Sequence, residues 1–233
     1  MNSIERTKKG DFVEIKYTGY ANNEMFDSNI ESQVKKTNPE AKETKTIVCI
    51  GQSMVVKGLD SALIDKELNK QYEITMSPEE GFGKRNRELI KTIPLSLFTK
   101  QKITPKAGMM FTLDNSLVKI ITISGARVIT DFNNPLAGKE IKYEFKIIRI
   151  VKDDKEKIGS LFLTWFKFTP KFEVKDSKVV IDAPKEMEIF INVFKNKFKE
   201  LIDKDLEVKV IEPKLQKEES REKQKKGANK PPA

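Results

Sequence analysis

Residues 134–150 read Asn134-Pro135-Leu136-Ala137-Gly138-Lys139-Glu140-Ile141-Lys142-Tyr143-Glu144-Phe145-Lys146-Ile147-Ile148-Arg149-Ile150. From Ile141 the apolar and polar residues alternate, with Tyr143, Phe145 and Ile147 on one face, which is the period of a half-buried strand. The Asn-Pro-Leu-Ala-Gly run before it reads, by itself, as a loop. Working outward, Asp11 to Tyr20 repeats the alternation, with Val13, Ile15 and Tyr17 against Glu14, Lys16 and Thr18. Tyr72 to Met76 alternates again, Ser77-Pro78-Glu79-Glu80 reads as a turn, and Thr46 to Ile50 is a further apolar run. Gly58 to Lys66 places Leu59, Ala62 and Leu63 at helical spacing, which predicts a short amphipathic helix turning Leu59 and Leu63 inward. Residues Asn22 to Glu43 are polar, contain Asn38-Pro39, and read as a long surface connection. Together these segments predict an α+β fold, a curved antiparallel sheet wrapped on one short helix.

Two further units follow from the pattern. Between Lys84 and Asn133 the apolar cluster Leu95, Leu97 and Phe98 precedes three β-rich runs near Met109 to Leu113, Leu117 to Ser124 and Arg127 to Phe132. Turn signals at Asp114-Asn115 and Ser124-Gly125-Ala126 separate them, so residues 85–132 are expected to form an all-β inserted domain. From Asp154 the composition shifts to an aromatic stretch over Leu161 to Phe172, a β-like run at Val179-Val180-Ile181, and a helix over about Lys185 to Lys204. That helix sets Met187, Phe190, Phe194, Phe198, Leu201 and Ile202 near one face after the start signal Asp182-Ala183-Pro184, and Leu206 to Ile211 closes as a strand. Residues 154–213 are thus expected to be a small α+β domain with too little chain for a large core. Trp165, Phe166 and Phe168 are candidates for burial against a second protomer, which makes a homodimer through this domain an expectation.

Composition removes whole classes of chemistry. The 233 residues include no histidine, so imidazole-dependent nucleophile activation and His-based zinc sites are excluded. The single cysteine, Cys49, cannot form an intrachain disulfide and reads as a small buried hydrophobe, in keeping with a reducing compartment. The first eleven residues carry Glu5, Arg6, Lys8 and Lys9 and no apolar run, which predicts neither a signal peptide nor a membrane span and places the protein in the cytoplasm. The formal charge is +9, of which the tail 214–233 contributes seven Lys/Arg against three Glu. Such a tail reads first as solvated and disordered; its alternative is weak contact with RNA or the ribosome through counterion release.

Four short motifs carry the functional reading: Phe26-Asp27; Val55-Val56-Lys57-Gly58-Leu59; Gly81-Phe82-Gly83; and Asn134-Pro135-Leu136-Ala137-Gly138-Lys139 leading into Tyr143. Each has a plain reading alone. Phe26-Asp27 is a buried aromatic beside a turn carboxylate, Tyr17 and Tyr143 are core residues of strand faces, and Gly81-Phe82-Gly83 is a turn. In this order and spacing, over about residues 8–152, they resemble the FKBP family of peptidyl-prolyl cis-trans isomerases, and within it the SlyD type. In that type a second domain is inserted between the Gly-aromatic-Gly turn and the Asn-Pro-Leu-Ala-Gly segment.

The resemblance implies an isomerase domain made of residues 1–84 plus 133–153, with residues 85–132 as a flap-type chaperone domain beside its pocket. It implies that Tyr17, Phe26, Asp27, Phe82 and Tyr143 are the catalytic set. Val55, Val56 and Leu59 would bind substrate, the amide of Val56 through its main chain. No cofactor is implied, and no metal: the family's nickel-binding histidine tail has no counterpart in a chain with Asn133-Asn134-Pro135 and a lysine tail. Many FKBPs have tryptophan where Leu59 stands and tyrosine where Phe82 stands. The second departure removes a hydroxyl, a loss of ~1 kcal/mol that costs less than about tenfold in rate, so isomerase activity is expected to persist with weaker affinity for drug-like ligands.

Two classes of function follow. One is an enzyme that accelerates slow X-Pro steps in folding. The other is a chaperone or catalytically weak binding module in which Ile93, Leu95, Leu97, Phe98 and Ile120 of the insert contact unfolded clients; the alternative for those residues is the insert's own core. A ribosome-associated adaptor using residues 154–233 is the third reading.

Overall fold

The computed structural model describes residues 5–113 and 116–211, so the turn expected at Asp114-Asn115 and the basic tail lie outside the described residues. These fall into two compact units that divide between Lys152 and Asp153.

The first unit contains β1 (Phe12–Ala21), β2 (Glu24–Ser28), α1 (Glu31–Val34), β3 (Thr46–Cys49), α2 (Lys57–Ala62), β4 (Gln71–Met76), β5 (Ile90–Pro94), α3 (Leu95–Lys100), β6 (Met110–Leu113), β7 (Ser116–Ser124), β8 (Arg127–Asp131) and β9 (Ile141–Ile150). β1 is the spine of the larger sheet. One of its edges pairs along its length with β9, which pairs in turn with β4; its other edge is shared between β3, opposite Phe12 to Ile15, and β2, opposite Thr18 to Ala21. All these pairings are antiparallel. β9 spans the residues that the alternation marked, and Tyr143, Phe145 and Ile147 are buried together with Val13, Ile15 and Ile141. α2 lies on that apolar face with Leu59 and Leu63 buried, the inward pair expected from the helical spacing.

The polar stretch after β1 is more than a surface connection. Asn22 and Asn23 both adopt left-handed backbone, at φ 53° and 63°, the two-residue turn whose twist suits a hairpin. It returns the chain as β2, which carries Phe26 and Asp27. The register slips between Gly19 and Tyr20: Asp27 faces Gly19 and Met25 faces Tyr20, leaving Phe26 as the extra residue of a bulge.

The insert is a four-stranded antiparallel sheet in the order β5-β8-β7-β6. In addition to the strands expected of an all-β unit it carries the short helix α3, which begins immediately after Pro94, where proline has fixed the backbone and offers no N–H. Phe98, Ile120 and Val128 form its core, with Ile93, Leu95, Ile103, Met109 and Phe111 packed around them.

The second unit comprises α4 (Asp154–Phe166), β10 (Phe172–Val174), β11 (Lys178–Ala183), α5 (Lys185–Val193), α6 (Lys195–Ile202) and β12 (Asp205–Val210). β10 and β11 are antiparallel, whereas β11 and β12 are parallel because α5 and α6 form the crossover between them. The aromatic stretch begins as the C-terminal half of α4. That helix starts at Asp153, whose carboxylate accepts the Glu156 N–H at 2.8 Å. The single helix expected over 185–204 is two helices: at Phe194 the N–H bonds the Ile191 carbonyl three residues back, tightening the chain for one turn, and the Phe194 ring stacks on Trp165 with centroids 4.7 Å apart. Phe166 and Phe198 are buried within this unit, Phe166 ringed by Phe190 and Phe194. Of the three aromatics expected to bury against a second protomer, Phe166 therefore belongs to the unit's own core, Trp165 is stacked within the unit, and Phe168 remains exposed. Among the described residues no helix is long and apolar enough to cross a membrane.

Candidate functional site

Strands β1, β2 and β9, the start of α2 and the turn after β4 converge on a cleft of about 440 Å³ lined by Tyr17, Asp27, Met54, Val55, Val56, Leu59, Phe82 and Tyr143. Seven of these eight positions were expected from the sequence. Phe26, the remaining expected aromatic, forms the cleft's wall from behind: its ring meets Phe82 edge-on at 5.6 Å and Tyr143 at 5.8 Å. Tyr17 meets Tyr143 at 5.9 Å, also edge to face. Such edge-to-face contacts fix ring orientation as well as excluding water.

The bulge in β2 makes this cluster possible, and Gly19 completes it. A Cβ at Gly19 would stand 2.7 Å from Cζ of Phe26 and 2.8 Å from Cε1 of Tyr143, so the two rings occupy the space that any other residue would fill. The glycine is required for close approach of side chains rather than for a left-handed turn. Nothing in the local sequence marks it, because the rings that need the space lie on other strands.

Asp27 stands at the exposed mouth. The Tyr17 hydroxyl donates to its Oδ2 at 3.0 Å, leaving Oδ1 without a partner among the described residues. Burial raises the pKa of the Tyr17 hydroxyl above the ordinary tyrosine range, and the adjacent Asp27 carboxylate raises it further. Burial and Asp27 do the same to Tyr143. Both hydroxyls therefore remain protonated donors throughout the neutral range.

Behind the cleft three polar side chains hold the backbone, and the sequence reading passed over all of them. Asn29 accepts the Tyr17 N–H at 2.8 Å and donates to the Ile15 carbonyl at 2.7 Å, while Ser28 Oγ donates to the Tyr17 carbonyl at 2.9 Å. Asp60, in the first turn of α2, accepts from the N–H groups of Gly51 and Ser53 at 2.8 and 2.9 Å. This ties down the loop that delivers Met54, Val55 and Val56. Met54 is the cleft residue that the motifs did not include; its sulfur accepts the Cys49 N–H at 3.1 Å, which joins the cleft lining to β3. The Val56 N–H has no hydrogen-bond partner among the described residues. The Gly58 N–H donates to the Glu80 carbonyl at 2.8 Å, coupling the start of α2 to the turn that presents Phe82.

The insert departs from expectation at the residue level. Phe98 is only 6% exposed and Ile93 and Leu95 pack against it, while Ile120 is wholly buried. These four fill the insert's own core and are not a client surface as the structure stands. A six-residue helix is too short for its periodicity to separate inward from outward positions, which is why the sequence grouped Phe98 with its neighbour. Leu97, at 50%, is exposed, and so are Met110, Leu117, Ile121 and Ile123. Among the described residues no group of three or more His, Cys, Asp or Glu side chains is arranged to hold a metal.

Comparison with known proteins agrees with this arrangement. The family described as FKBP26, IF domain, matches residues 91–136, the insert together with its return to the body. The short-type peptidyl-prolyl cis-trans isomerase of Methanocaldococcus jannaschii is 31% identical over 147 residues, which is 62% of this chain and 94% of that one. The FKBP-type peptidyl-prolyl cis-trans isomerases SlyD of Helicobacter pylori and Haemophilus influenzae are 26% and 31% identical; the alignments cover 67% and 42% of this chain and 80% and 53% of theirs. With nearly the whole of an isomerase matched by residues that build an aromatic cleft with a carboxylate at its mouth, this chain belongs to the FKBP-type peptidyl-prolyl cis-trans isomerases.

Proposed function

We propose that the cleft between Tyr17, Phe26, Phe82 and Tyr143 is the site at which X-Pro bonds of unfolded chains are rotated, and that the insert captures those chains for it. The observation that carries this reading is the packing of the four rings around an open cleft with Asp27 fixed at its mouth by Tyr17. Rotation about the X-Pro bond is opposed by a barrier of about 18–20 kcal/mol because the planar amide is stabilised by resonance. At the top of that barrier the conjugation is lost, the amide is less polar and its nitrogen becomes pyramidal. Water favours the planar, polar form, so an apolar wall of rings and Leu59 penalises the ground state relative to the twisted one. Each ~1.36 kcal/mol of that difference is tenfold in rate, and neither a nucleophile nor a base is needed.

Within this account the prolyl ring sits among Phe26, Phe82, Tyr143 and Leu59. The Val56 N–H binds a substrate carbonyl, with Val55 beside it. Asp27 interacts with the rotating amide and is held in one orientation by the Tyr17 hydroxyl. Clients are unfolded, proline-containing proteins in the cytoplasm. Capture by the insert raises the local concentration of their X-Pro bonds at the cleft. The exposed Leu97, Met110 and Ile123 are the contacts we assign to capture, in place of Ile93, Leu95 and Phe98. Removal of residues 85–132 is expected to leave turnover of a short X-Pro peptide near its intact value and to slow catalysed refolding of a proline-limited protein by about tenfold or more. Equal refolding rates for the two proteins would defeat capture and leave the cleft as the whole activity.

A second reading concerns the C-terminal unit. Ile189 and Val193, one turn apart on α5, are 80% and 73% exposed, and Phe190, Leu163 and Phe168 are each about half exposed. Aliphatic side chains this open on one helix support a homodimer through the unit more directly than the aromatic stretch does, since most of those rings are satisfied internally. Sedimentation of the intact chain and of a chain ending at Lys152 tests it: a dimer and a monomer are expected, and two monomers would remove the reading. The adaptor alternative uses residues 154–233, and weak RNA or ribosome contact uses the basic tail, which lies outside the described residues.

A further inference from the structure

Where the chain leaves the body for the insert and where it returns, the side chains of Arg85, Asp131 and Asn133 and the main chain of Asn86 are joined across more than forty residues of sequence. The Asn86 N–H donates to Asn133 Oδ1 at 2.8 Å, and Asn133 Nδ2 donates back to the Asn86 carbonyl at 2.9 Å. Asn133 also binds Asp131 Oδ1 through its main-chain N–H at 3.0 Å and its side-chain Nδ2 at 2.7 Å. The other carboxylate oxygen of Asp131 pairs with the Arg85 guanidinium. Asn133 and Asp131 are 6% and 8% exposed. Burial alone would raise the Asp131 pKa, but the Asn133 groups and the Arg85 charge hold it below the usual carboxylate range, so the pair is ionised at neutral pH.

This network is built differently from the insert's core and lies apart from the cleft, and it is linked to the cleft's wall through Gly138 and Gly83 and to the insert's sheet through Asp131. The Arg85 stem lies on Gly138, where an added Cβ would come 3.3 Å from its Cγ, and the Gly138 N–H donates to the Gly83 carbonyl at 2.8 Å. Gly83 follows Phe82, a wall of the cleft. On the other side, Asp131 is the last residue of β8 and pairs with Ile90 of β5. A single chain crossing at each stem would be a hinge. Two crossings bound to each other by reciprocal amide bonds and a charged pair resist rotation about either one.

We propose that Arg85, Asn86, Asp131 and Asn133 are positioning residues: a clasp that fixes the insert's orientation relative to the cleft and thereby sets the rate at which captured protein, but not free peptide, is turned over. This rests on the capture reading above. A fixed insert presents its bound client at a constant distance from the cleft, whereas a swivelling one dilutes it over the volume that it sweeps.

The test uses Arg85→Gln, Asp131→Asn and the double variant in the full chain. Arg85 is itself half exposed, so its replacement leaves the fold in place even where Asp131→Asn weakens it. Three quantities are measured: kcat/KM for a short X-Pro peptide, affinity for a reduced and carboxymethylated, permanently unfolded protein, and catalysed refolding of a proline-limited protein. Peptide turnover and client affinity are expected within about twofold of the unaltered chain. Refolding catalysis is expected to fall about tenfold in each single variant and no further in the double, because both residues act through one pair. Unchanged refolding in Arg85→Gln, while removal of the whole insert slows it, would overturn the clasp and leave capture standing. A fall in refolding that is matched by peptide turnover, or by client affinity, would also overturn it, since the variants would then act through the cleft or the capture surface.

Discussion

Gly19→Ala is expected to lower both stability and peptide turnover, although it adds one methyl group to a strand with ordinary backbone geometry. The new Cβ would lie at 2.7 and 2.8 Å from the rings of Phe26 and Tyr143, well inside contact distance. Phe26 is in edge-to-face contact with Phe82 and Tyr143 with Tyr17, so displacing either ring disturbs its neighbour. Relief requires both rings to turn or β2 to lift from β1. Overpacking of this kind costs about 1–3 kcal/mol, which corresponds to a melting temperature lower by roughly 2–10 °C for a unit of this size. Because the displaced rings are the cleft wall, kcat/KM for a short X-Pro peptide is expected to fall about tenfold or more. Turnover at the level of the unaltered chain in a destabilised variant would separate the ring cluster from the site.

Asp27→Ala is expected to affect catalysis alone: turnover falls about tenfold while the melting temperature stays within about 2 °C. Asp27 is exposed, makes its one hydrogen bond to Tyr17, and contributes nothing to the apolar core, so its loss to stability is that of a surface pair. Its loss to catalysis is larger because a fixed charge at the rotating amide acts only on the twisted form. Removing a buried electrostatic donor from an active site costs about 10²–10³; the solvent at the mouth reduces that here. Thermal melting and peptide turnover measured on the same preparations distinguish the two variants. Full turnover by Asp27→Ala would take the carboxylate out of the mechanism and leave the ring cluster to supply all of it.

Much of the body was legible because its elements obey one rule each. β9 alternates from Ile141 to Ile147 and is a strand over Ile141–Ile150. Leu59 and Leu63 are four apart and both face the sheet. The four motifs found the cleft through their resemblance, in order and spacing, to the FKBP family. What escaped was governed by partners distant in sequence or by single local signals. β2 hid in a polar stretch, since a short edge strand with a bulge shows no alternation; the consecutive Asn22-Asn23 was the available sign of its hairpin. Asp153 and Glu156, three apart, were the start signal for α4. Gly19, Asn29 and Met54 had no local signal: one makes room for rings from β2 and β9, one pins a strand's backbone, and one reaches the cleft because Asp60 holds its loop. In the insert the sequence found the apolar residues but not their direction, and direction is what separates Leu97 from Phe98.

On this reading the ring-lined cleft rotates X-Pro bonds without covalent chemistry. That rotation is tested most directly by the cis-to-trans rate of a short X-Pro peptide in the presence of the intact chain and of Phe82→Ala, which opens one wall while leaving the sheet and α2 in place. Acceleration over the uncatalysed exchange by the intact chain, sharply reduced in the variant, is the predicted result. A folded intact chain that leaves the exchange at its uncatalysed rate, or a variant that matches it, would contradict the account.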